Sequence, residues 1–156
     1  MLAFKLLHIL SMFAAVTLIV GEVVFIAVAI WRGDARALAA VRRVTGRRPL
    51  VGVAFFGLGI VFGLLTAATG GIDFFAGWLL AAYLLIVVVV AINALPVVQK
   101  GLLGVSDMAA EADAGERPVE EVTAAMAALR RPFLYVAIAN VLIFMALIVD
   151  MVLQPF

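Results

Sequence analysis

Ionisable side chains inside long apolar runs are the first residues to consider for chemistry in this sequence. Lys5, His8 and Glu22 lie in the first apolar run, and Asp150 lies at the end of the last. Such groups are costly inside a bilayer, and they commonly mark ion pairs, ligand sites or proton pathways. Two amides in similar surroundings complete the set of intramembrane candidates: Asn93 and Asn140.

A first pairing hypothesis joins the two ends of the chain. With both ends on one side of the membrane, Asp150 lies at the depth of Lys5 and His8. A carboxylate on one imidazole nitrogen would orient the other nitrogen toward a ligand or a proton. The alternative is an interfacial ion pair between Lys5 and Asp150, with His8 at the level of the lipid headgroups.

A second hypothesis concerns the other half of the membrane. The helical rise places Glu22 about 13 Å and Asn140 about 10 Å from that end of their spans, with Asn93 at a shallower position. Glu22 and Asn140 are therefore expected to hydrogen-bond across helices. The pair is either a proton relay or ligand carboxylate, or a polar clasp between the first and last helices.

The first span directs its polar residues to one side. His8, Ala15 and Glu22 recur at seven-residue steps, which return close to the same helix face. The rise separates His8 from Glu22 by about 21 Å, so the two cannot bind one small ion together. Met12, one turn from His8, offers a thioether as a candidate second ligand, although such residues usually serve packing.

The composition requires lipid as the solvent of these residues. Hydrophobic residues make up 67% of the 156 residues and charged residues only 13%, whereas soluble domains have about 25% charged residues. A soluble enzyme, a disordered chain and a nucleic-acid binder are excluded. With no cysteine and one histidine, the chain has neither thiol chemistry nor the usual ligands of a zinc site. We predict no catalytic residue and no metal site.

Charge-free runs locate the membrane spans. A helix needs about 20 mostly apolar residues to cross a bilayer, and Gly70 and Gly71 predict a tight turn between the second and third spans. The sequence therefore predicts an all-α fold with one transmembrane domain over residues 1–156, a four-helix transmembrane bundle with short amphipathic cytoplasmic helices. The predicted spans lie near residues 5–31, 50–70, 74–96 and 133–153.

The two long connections set the predicted orientation. Segments 32–48 and 97–132 hold every Lys and Arg except Lys5, and positively charged loops stay in the cytoplasm. We predict a multi-pass protein of the bacterial cytoplasmic (inner) membrane with both termini outside. In the first segment Asp34 is placed to cap a helix that carries Leu38, Val41 and Val44 near one apolar face.

The second connection shows a further helical pattern. Pro118 suits the start of a helix, and residues 106–115 are expected to form an exposed connector before it. An apolar stripe follows at helical spacing: Val119, Val122, Met126 and Leu129. The stripe either binds a partner or lipid headgroups, or it packs on the bundle itself.

Small residues mark one face of the second span. Gly59 and Gly63 form a small-xxx-small pair, and Gly52 falls close to the same face. Such faces let helix backbones approach closely in lipid. This face either packs the span inside the monomer or joins two copies of the chain.

The opening Phe4-Lys5-Leu6-Leu7-His8-Ile9-Leu10-Ser11 resembles a family of four-span bacterial integral membrane proteins of uncharacterised function. In that family a Leu-Lys-x-Leu-His-x-Leu pattern begins the first span. The chain is more distantly similar to copper-resistance D-like membrane proteins and J-type protoporphyrinogen oxidases, which also carry a His near the outer end of the first span.

For His8 this resemblance implies a role as a haem or metal ligand. A site with two His ligands within one chain is excluded, because His8 is the single histidine, although a symmetric dimer would supply a second His8. The later-span Lys of the oxidases has no clear counterpart, since Lys100 lies just past span three. The oxidase activity is therefore not carried over.

Three functions follow from these residues. The first is a structural or accessory subunit of a membrane complex, without enzymatic activity. The second is a haem-binding membrane redox protein that uses His8 as an axial ligand, and the third and weakest is a small proton channel or transporter built on Glu22. The expected partners are the lipid bilayer, other membrane subunits or a second copy of the chain, and no nucleic acid.

Overall fold

The computed structural model describes residues 2–46 and 50–153, and the regular elements in these ranges are all helical. The all-α prediction is therefore confirmed. Arg47 and Arg48 of the predicted basic loop lie outside the described residues. A π-helix (Val97–Leu102) joins the fourth and fifth of six α-helices: α1 (Leu2–Arg32), α2 (Ala35–Thr45), α3 (Leu50–Gly70), α4 (Gly77–Asn93), α5 (Leu103–Asp113) and α6 (Val119–Val152).

Three of these helices are long and apolar enough to cross a membrane. They are α1, α3 and α6, whose most apolar windows have mean hydropathies of 2.6, 2.3 and 2.4. Helix α4 is apolar but has only 17 residues, and it ends at Asn93 rather than near residue 96 as expected. Helix α3 has the bounds of the predicted second span.

The last helix differs from expectation because it is continuous. The sequence predicts a cytoplasmic helix before residue 132 and a separate span after it, but α6 passes through Pro132 without a break. Proline removes one backbone donor and usually kinks or ends a helix. Here the buried side chains of Met126 and Phe133 hold the turns on both sides of Pro132 in place.

The described chain groups into two compact units. Unit 1 consists of Met1–Gly21, Pro49–Val89 and Leu142–Phe156, and unit 2 consists of Glu22–Arg48 and Val90–Val141. Each unit combines segments that are far apart in sequence. A single transmembrane domain over residues 1–156 stays a prediction.

Unit 1 has a small apolar core between α4 and α6. Buried Phe144 and Leu147 of α6 pack with Ala82 and Val89 of α4. Phe56 of α3 meets Phe144 edge to face, with ring centroids 5.9 Å apart and planes at 76°. Such edge-to-face geometry is a favoured arrangement of aromatic pairs.

Unit 2 has a larger core to which four helices contribute. Its buried members come from the end of α1, from α2 and α5, and from the start of α6: Ile26, Ala29, Ile30, Ala35, Leu38, Ala39, Val105, Ala109, Val122, Met126 and Phe133. Val122 and Met126 of the predicted stripe are fully buried, whereas Val119 is mostly exposed. The stripe therefore packs inside the molecule.

Helix α2 begins as predicted. The Oδ1 atom of Asp34 accepts a hydrogen bond of 2.9 Å from the amide of Ala37, and Leu38 is buried. Val44, however, is 86% exposed, so its expected place on the apolar face is wrong. Six residues turn a helix by about 600°, which leaves Val44 about 120° away from Leu38.

The expected connector at residues 106–115 is wrong for most of its length. Helix α5 occupies Leu103–Asp113, and Ser106 and Ala109 are buried. Small side chains allow close helix packing, and they account for the burial of these two residues. Two of the three acidic residues of the same stretch, Asp107 and Asp113, pair with arginines of α2, so a small and acidic composition here indicates a packed helix.

Candidate functional site: His8 and the glycine face of α3

His8 is fixed by a hydrogen bond to a backbone carbonyl of α3. Its Nδ1 lies 2.6 Å from the carbonyl oxygen of Gly59. A carbonyl oxygen only accepts hydrogen bonds, so Nδ1 carries a proton and donates it. In a neutral imidazole the other nitrogen, Nε2, is then the bare acceptor.

Three glycines of α3 make room for α1. A Cβ atom added to Gly63 would lie 2.9 Å from Cε1 and 3.0 Å from Nδ1 of His8, and one added to Gly52 would lie 3.0 Å from Cγ1 of Ile19. A Cβ atom at Gly59 would collide with the sulfur of Met12. The predicted small-residue face therefore packs α3 against α1 within one chain.

The order of these contacts shows that α1 and α3 are antiparallel. Gly52 meets Ile19, whereas Gly63 meets His8, so ascending positions on α3 meet descending positions on α1. Ala15 lies between the contacts and is fully buried, as its place on the His8 face predicts. The thioether of Met12 lies against α3, so Met12 is a packing residue here.

Asp150 does not take the role expected for it beside His8. The Nδ1 atom of His8 is bonded to Gly59 rather than to Asp150. The Oδ2 atom of Asp150 is buried and has no hydrogen-bond partner among the described residues. Lys5 is exposed, and its expected ion pair with Asp150 stays a prediction.

In unit 2, the two candidate amides bind each other. Asn93 Nδ2 donates a hydrogen bond of 2.8 Å to Asn140 Oδ1, and Asn140 Nδ2 donates one of 2.9 Å to the carbonyl of Val136. Asn140 is fully buried. The expected bond between Asn140 and Glu22 is not formed in the described part of the chain, where Asn140 bonds Asn93 and the carbonyl of Val136 instead.

Glu22 lies beside α2 instead. Its side chain is partly buried and lies near Thr45, whose hydroxyl donates a hydrogen bond to the carbonyl of Val41. Because α2 starts directly after α1 and its last residue reaches Glu22, α2 runs back along the end of α1. Sequence reasoning missed this contact, since no local pattern identifies the partner of a single carboxylate.

Ion pairs connect α2 to α5. Arg42 Nη2 and Nε lie 2.6 and 3.0 Å from Oδ1 of Asp107, and Arg43 lies 3.3 Å from Asp113. The consecutive arginines and two acids six residues apart were the only sequence signal for this pairing. A separate network joins Arg117 to Glu111 and Glu121, and the hydrogen bond that Arg117 donates to Glu111 is the main cause that raises the pKa of Arg117.

His8 is the cofactor ligand that the sequence analysis predicted. Within residues 2–46 and 50–153, no three His, Cys, Asp or Glu side chains come together as a metal site. The bare Nε2 atom of His8 has the donor chemistry of an axial haem ligand. The structure holds that nitrogen in place through the bond on the opposite side of the ring.

Comparisons with known proteins identify a family for the chain. The family model described as Predicted integral membrane protein (DUF2269) matches residues 2–155. No curated protein and no solved structure matches the chain. The likeness to copper-resistance D-like proteins and to J-type oxidases stays a prediction. The match covers nearly the whole sequence, and the chain therefore belongs to this family of integral membrane proteins.

Proposed function

We propose that this integral membrane protein is a structural or accessory subunit of a larger membrane complex, without enzymatic activity of its own. One observation carries the proposal: three of the polar side chains of the apolar helices are used in helix contacts. His8 is bonded to α3, and Asn93 is bonded to Asn140. A catalytic site would need such groups directed toward a substrate.

An exposed apolar face on α1 supports a subunit role. Val24, Phe25, Val28 and Trp31 are all exposed on the part of α1 that belongs to unit 2. A contiguous exposed apolar face of this kind is a surface on which a helix of another subunit can pack.

Photo-cross-linking in native membranes tests this proposal. A benzophenone amino acid replaces Phe25 on the exposed face, and in a control chain it replaces Phe75 in the exposed turn between α3 and α4. We expect the Phe25 position to cross-link one polypeptide of constant mass and the Phe75 position not to do so. Cross-links to lipid alone, or equal products from both positions, would contradict a subunit role.

A second function, haem binding, is favoured by the geometry of His8. The bond from Nδ1 to Gly59 leaves Nε2 as the free lone pair, and an axial haem ligand needs such a nitrogen. Bound haem would supply one-electron redox chemistry. His8 is the only histidine, so bis-His ligation would require His8 of a second copy.

A visible spectrum of the purified protein tests haem binding. Haem ligated by His8 would give a Soret band that His8→Ala abolishes and that Met12→Leu, a change in the neighbouring packing residue, leaves in place. A wild-type preparation that stays colourless after haem addition would contradict this second function.

We also propose that the protein lies in the bacterial cytoplasmic membrane with both termini outside, because the basic segments 32–48 and 97–132 stay on the cytoplasmic side. The chain has no cysteine, so single cysteines can report the orientation. Asp73→Cys should react with an impermeant maleimide in intact cells, and Glu116→Cys only after lysis. The reverse pattern would contradict this orientation.

A further inference from the structure

The turn between α1 and α2 carries arginines that have no acidic partner among the described residues. Gly33 forms this turn in a left-handed conformation, with φ +69°. Arg32 ends α1 just before it, and Arg36 lies in the first turn of α2. Both side chains are exposed. Arg130 of α6 completes the group, which we call the Gly33 cluster: Arg32, Arg36 and Arg130.

Arg130 reaches the turn from α6. Its Nη2 atom lies 3.5 Å from the position that a Cβ atom of Gly33 would occupy. The Nε atom of the same guanidinium is buried and has no hydrogen-bond partner among the described residues. A buried guanidinium donor without an acceptor is costly. The Nε atom of Arg130 therefore marks a place where a bound acceptor would be stabilising.

Three other arginines of unit 2 have acidic partners. Arg42, Arg43 and Arg117 are all in ion pairs. In the described part of the chain, the ion pairs include none of the Gly33 cluster. The nearest acid in sequence is Asp34, and its Oδ1 atom accepts a hydrogen bond from the backbone of α2.

The chemistry of the cluster fits a phosphate group. Guanidinium groups bind phosphate oxygens through paired hydrogen bonds, and several arginines together favour a charged oxyanion over a neutral ligand. Trp31, directly before Arg32, is 56% exposed, and exposed tryptophan is typical of the membrane–water interface. Basic groups on the cytoplasmic side of membrane helices bind acidic lipid headgroups.

We propose that the Gly33 cluster binds the phosphate of an anionic phospholipid headgroup, with Arg130 supplying the buried donor and Arg32 and Arg36 the exposed ones. The site lies at the end of α1, where the helix dipole also favours cations. If the arginines served the dipole alone, they would show no preference among lipids. Lipid selectivity therefore separates a phosphate site from a purely structural role.

Tryptophan quenching measures this selectivity at the site itself. The chain has two tryptophans, so Trp78→Phe leaves Trp31, beside the cluster, as the only tryptophan, which is excited selectively over tyrosine. The full chain is placed in vesicles in which either phosphatidylglycerol or phosphatidylcholine carries bromine on its acyl chains. We expect Trp31 to favour brominated phosphatidylglycerol about fivefold at low salt, an effect that corresponds to about one charge near an anionic surface.

Two arginines of α2 provide a matched pair of variants. Arg36→Gln removes a member of the cluster, and Arg43→Gln removes an exposed arginine that is paired with Asp113; both change the net charge equally. We expect Arg36→Gln to abolish most of the selectivity and Arg43→Gln to preserve it, with circular dichroism confirming that both fold. Equal losses, or no selectivity in the wild type, would overturn the proposal.

A final arm separates lipid phosphate from free phosphate. Inorganic phosphate and chloride are compared at the same ionic strength, because salt alone screens charged contacts. Equal selectivity in both salts supports the lipid headgroup as the ligand. Selectivity lost only in inorganic phosphate would assign the cluster to free phosphate and overturn the lipid assignment.

Discussion

Units 1 and 2 stabilise their helix contacts in different ways. Of the eleven basic and ten acidic residues of the chain, only Lys5, Asp73 and Asp150 fall in unit 1. There, glycines of α3 bring α1 close, and one imidazole bonds a backbone carbonyl. Unit 2 instead buries a larger apolar core and connects α2 with α5 through ion pairs.

The difference follows from the solvent that each kind of contact requires. In lipid, apolar side chains gain little by meeting each other, and helices associate by close backbone packing and by hydrogen bonds. In water, burial of apolar surface is the main driving force. One short chain therefore uses both kinds of packing. A substitution at a contact of each unit tests the kind of packing found there.

The largest expected effect is in the core of unit 2. Met126 is fully buried, and Met126→Ala should lower the free energy of unfolding by about 3 kcal/mol, because a cavity remains. Denaturant titration in mixed micelles measures the change. Met145→Ala is the control, since Met145 is 55% exposed. Equal losses in both variants would contradict the view that burial of apolar side chains is what stabilises unit 2.

The next effect is in the glycine face of unit 1. Gly59→Leu forces a side chain into Met12, and overpacking of this kind costs about 1–3 kcal/mol. In Gly57→Leu, by contrast, the new Cβ meets nothing within 4 Å, so this variant should unfold like the wild type. Thermal unfolding in micelles compares them. A stable Gly59→Leu protein would mean that α1 does not pack closely on this face.

A smaller effect is expected for the amide pair of unit 2. Asn93→Ala and Asn140→Ala should each destabilise the protein, and the double variant should be more stable than the sum of the two losses predicts, by about 1 kcal/mol. Unfolding titrations of the four proteins give this coupling energy. Strict additivity would show that the bond between Asn93 and Asn140 does not form.

The smallest effect concerns the ion pair of Arg42 and Asp107. A double-mutant cycle with Arg42→Gln and Asp107→Asn should give a coupling of about 0.5–1 kcal/mol that falls in high salt. The bond between His8 and Gly59 joins uncharged groups when the imidazole is neutral, so the effect of His8→Ala should not depend on salt. If the coupling of Arg42 with Asp107 and the effect of His8→Ala depended equally on salt, the proposed difference between the units would be contradicted.

Local patterns predicted the elements that depend on neighbours in sequence. The bounds of α3, the cap formed by Asp34 and the buried positions Val122 and Met126 follow from hydropathy, capping chemistry and helical spacing. The spacing of the glycines in α3 also predicted that they share one helix face. Its partner helix was not, because the sequence does not show which helix lies opposite a small-residue face.

Most of the misses concern contacts between distant segments. Asn140 bonds Asn93 rather than Glu22, because the choice among polar partners depends on which helices are neighbours. The sequence predicted a connector where α5 lies, because the ion pairs between its acidic residues and the arginines of α2 cannot be read from a local pattern. The continuity of α6 through Pro132 depends on buried residues on both sides of it. Local sequence patterns predict a break at proline and do not show this burial.

The central claim is that His8 holds α1 against α3 by donating from Nδ1 to the carbonyl of Gly59. His8 is the only histidine, so ¹⁵N NMR of the labelled protein in lipid yields one imidazole. At a pH where the ring is neutral, we expect a single tautomer with the proton on Nδ1, hydrogen-bonded, and a bare Nε2. A proton on Nε2, or rapid exchange between tautomers, would contradict the claim.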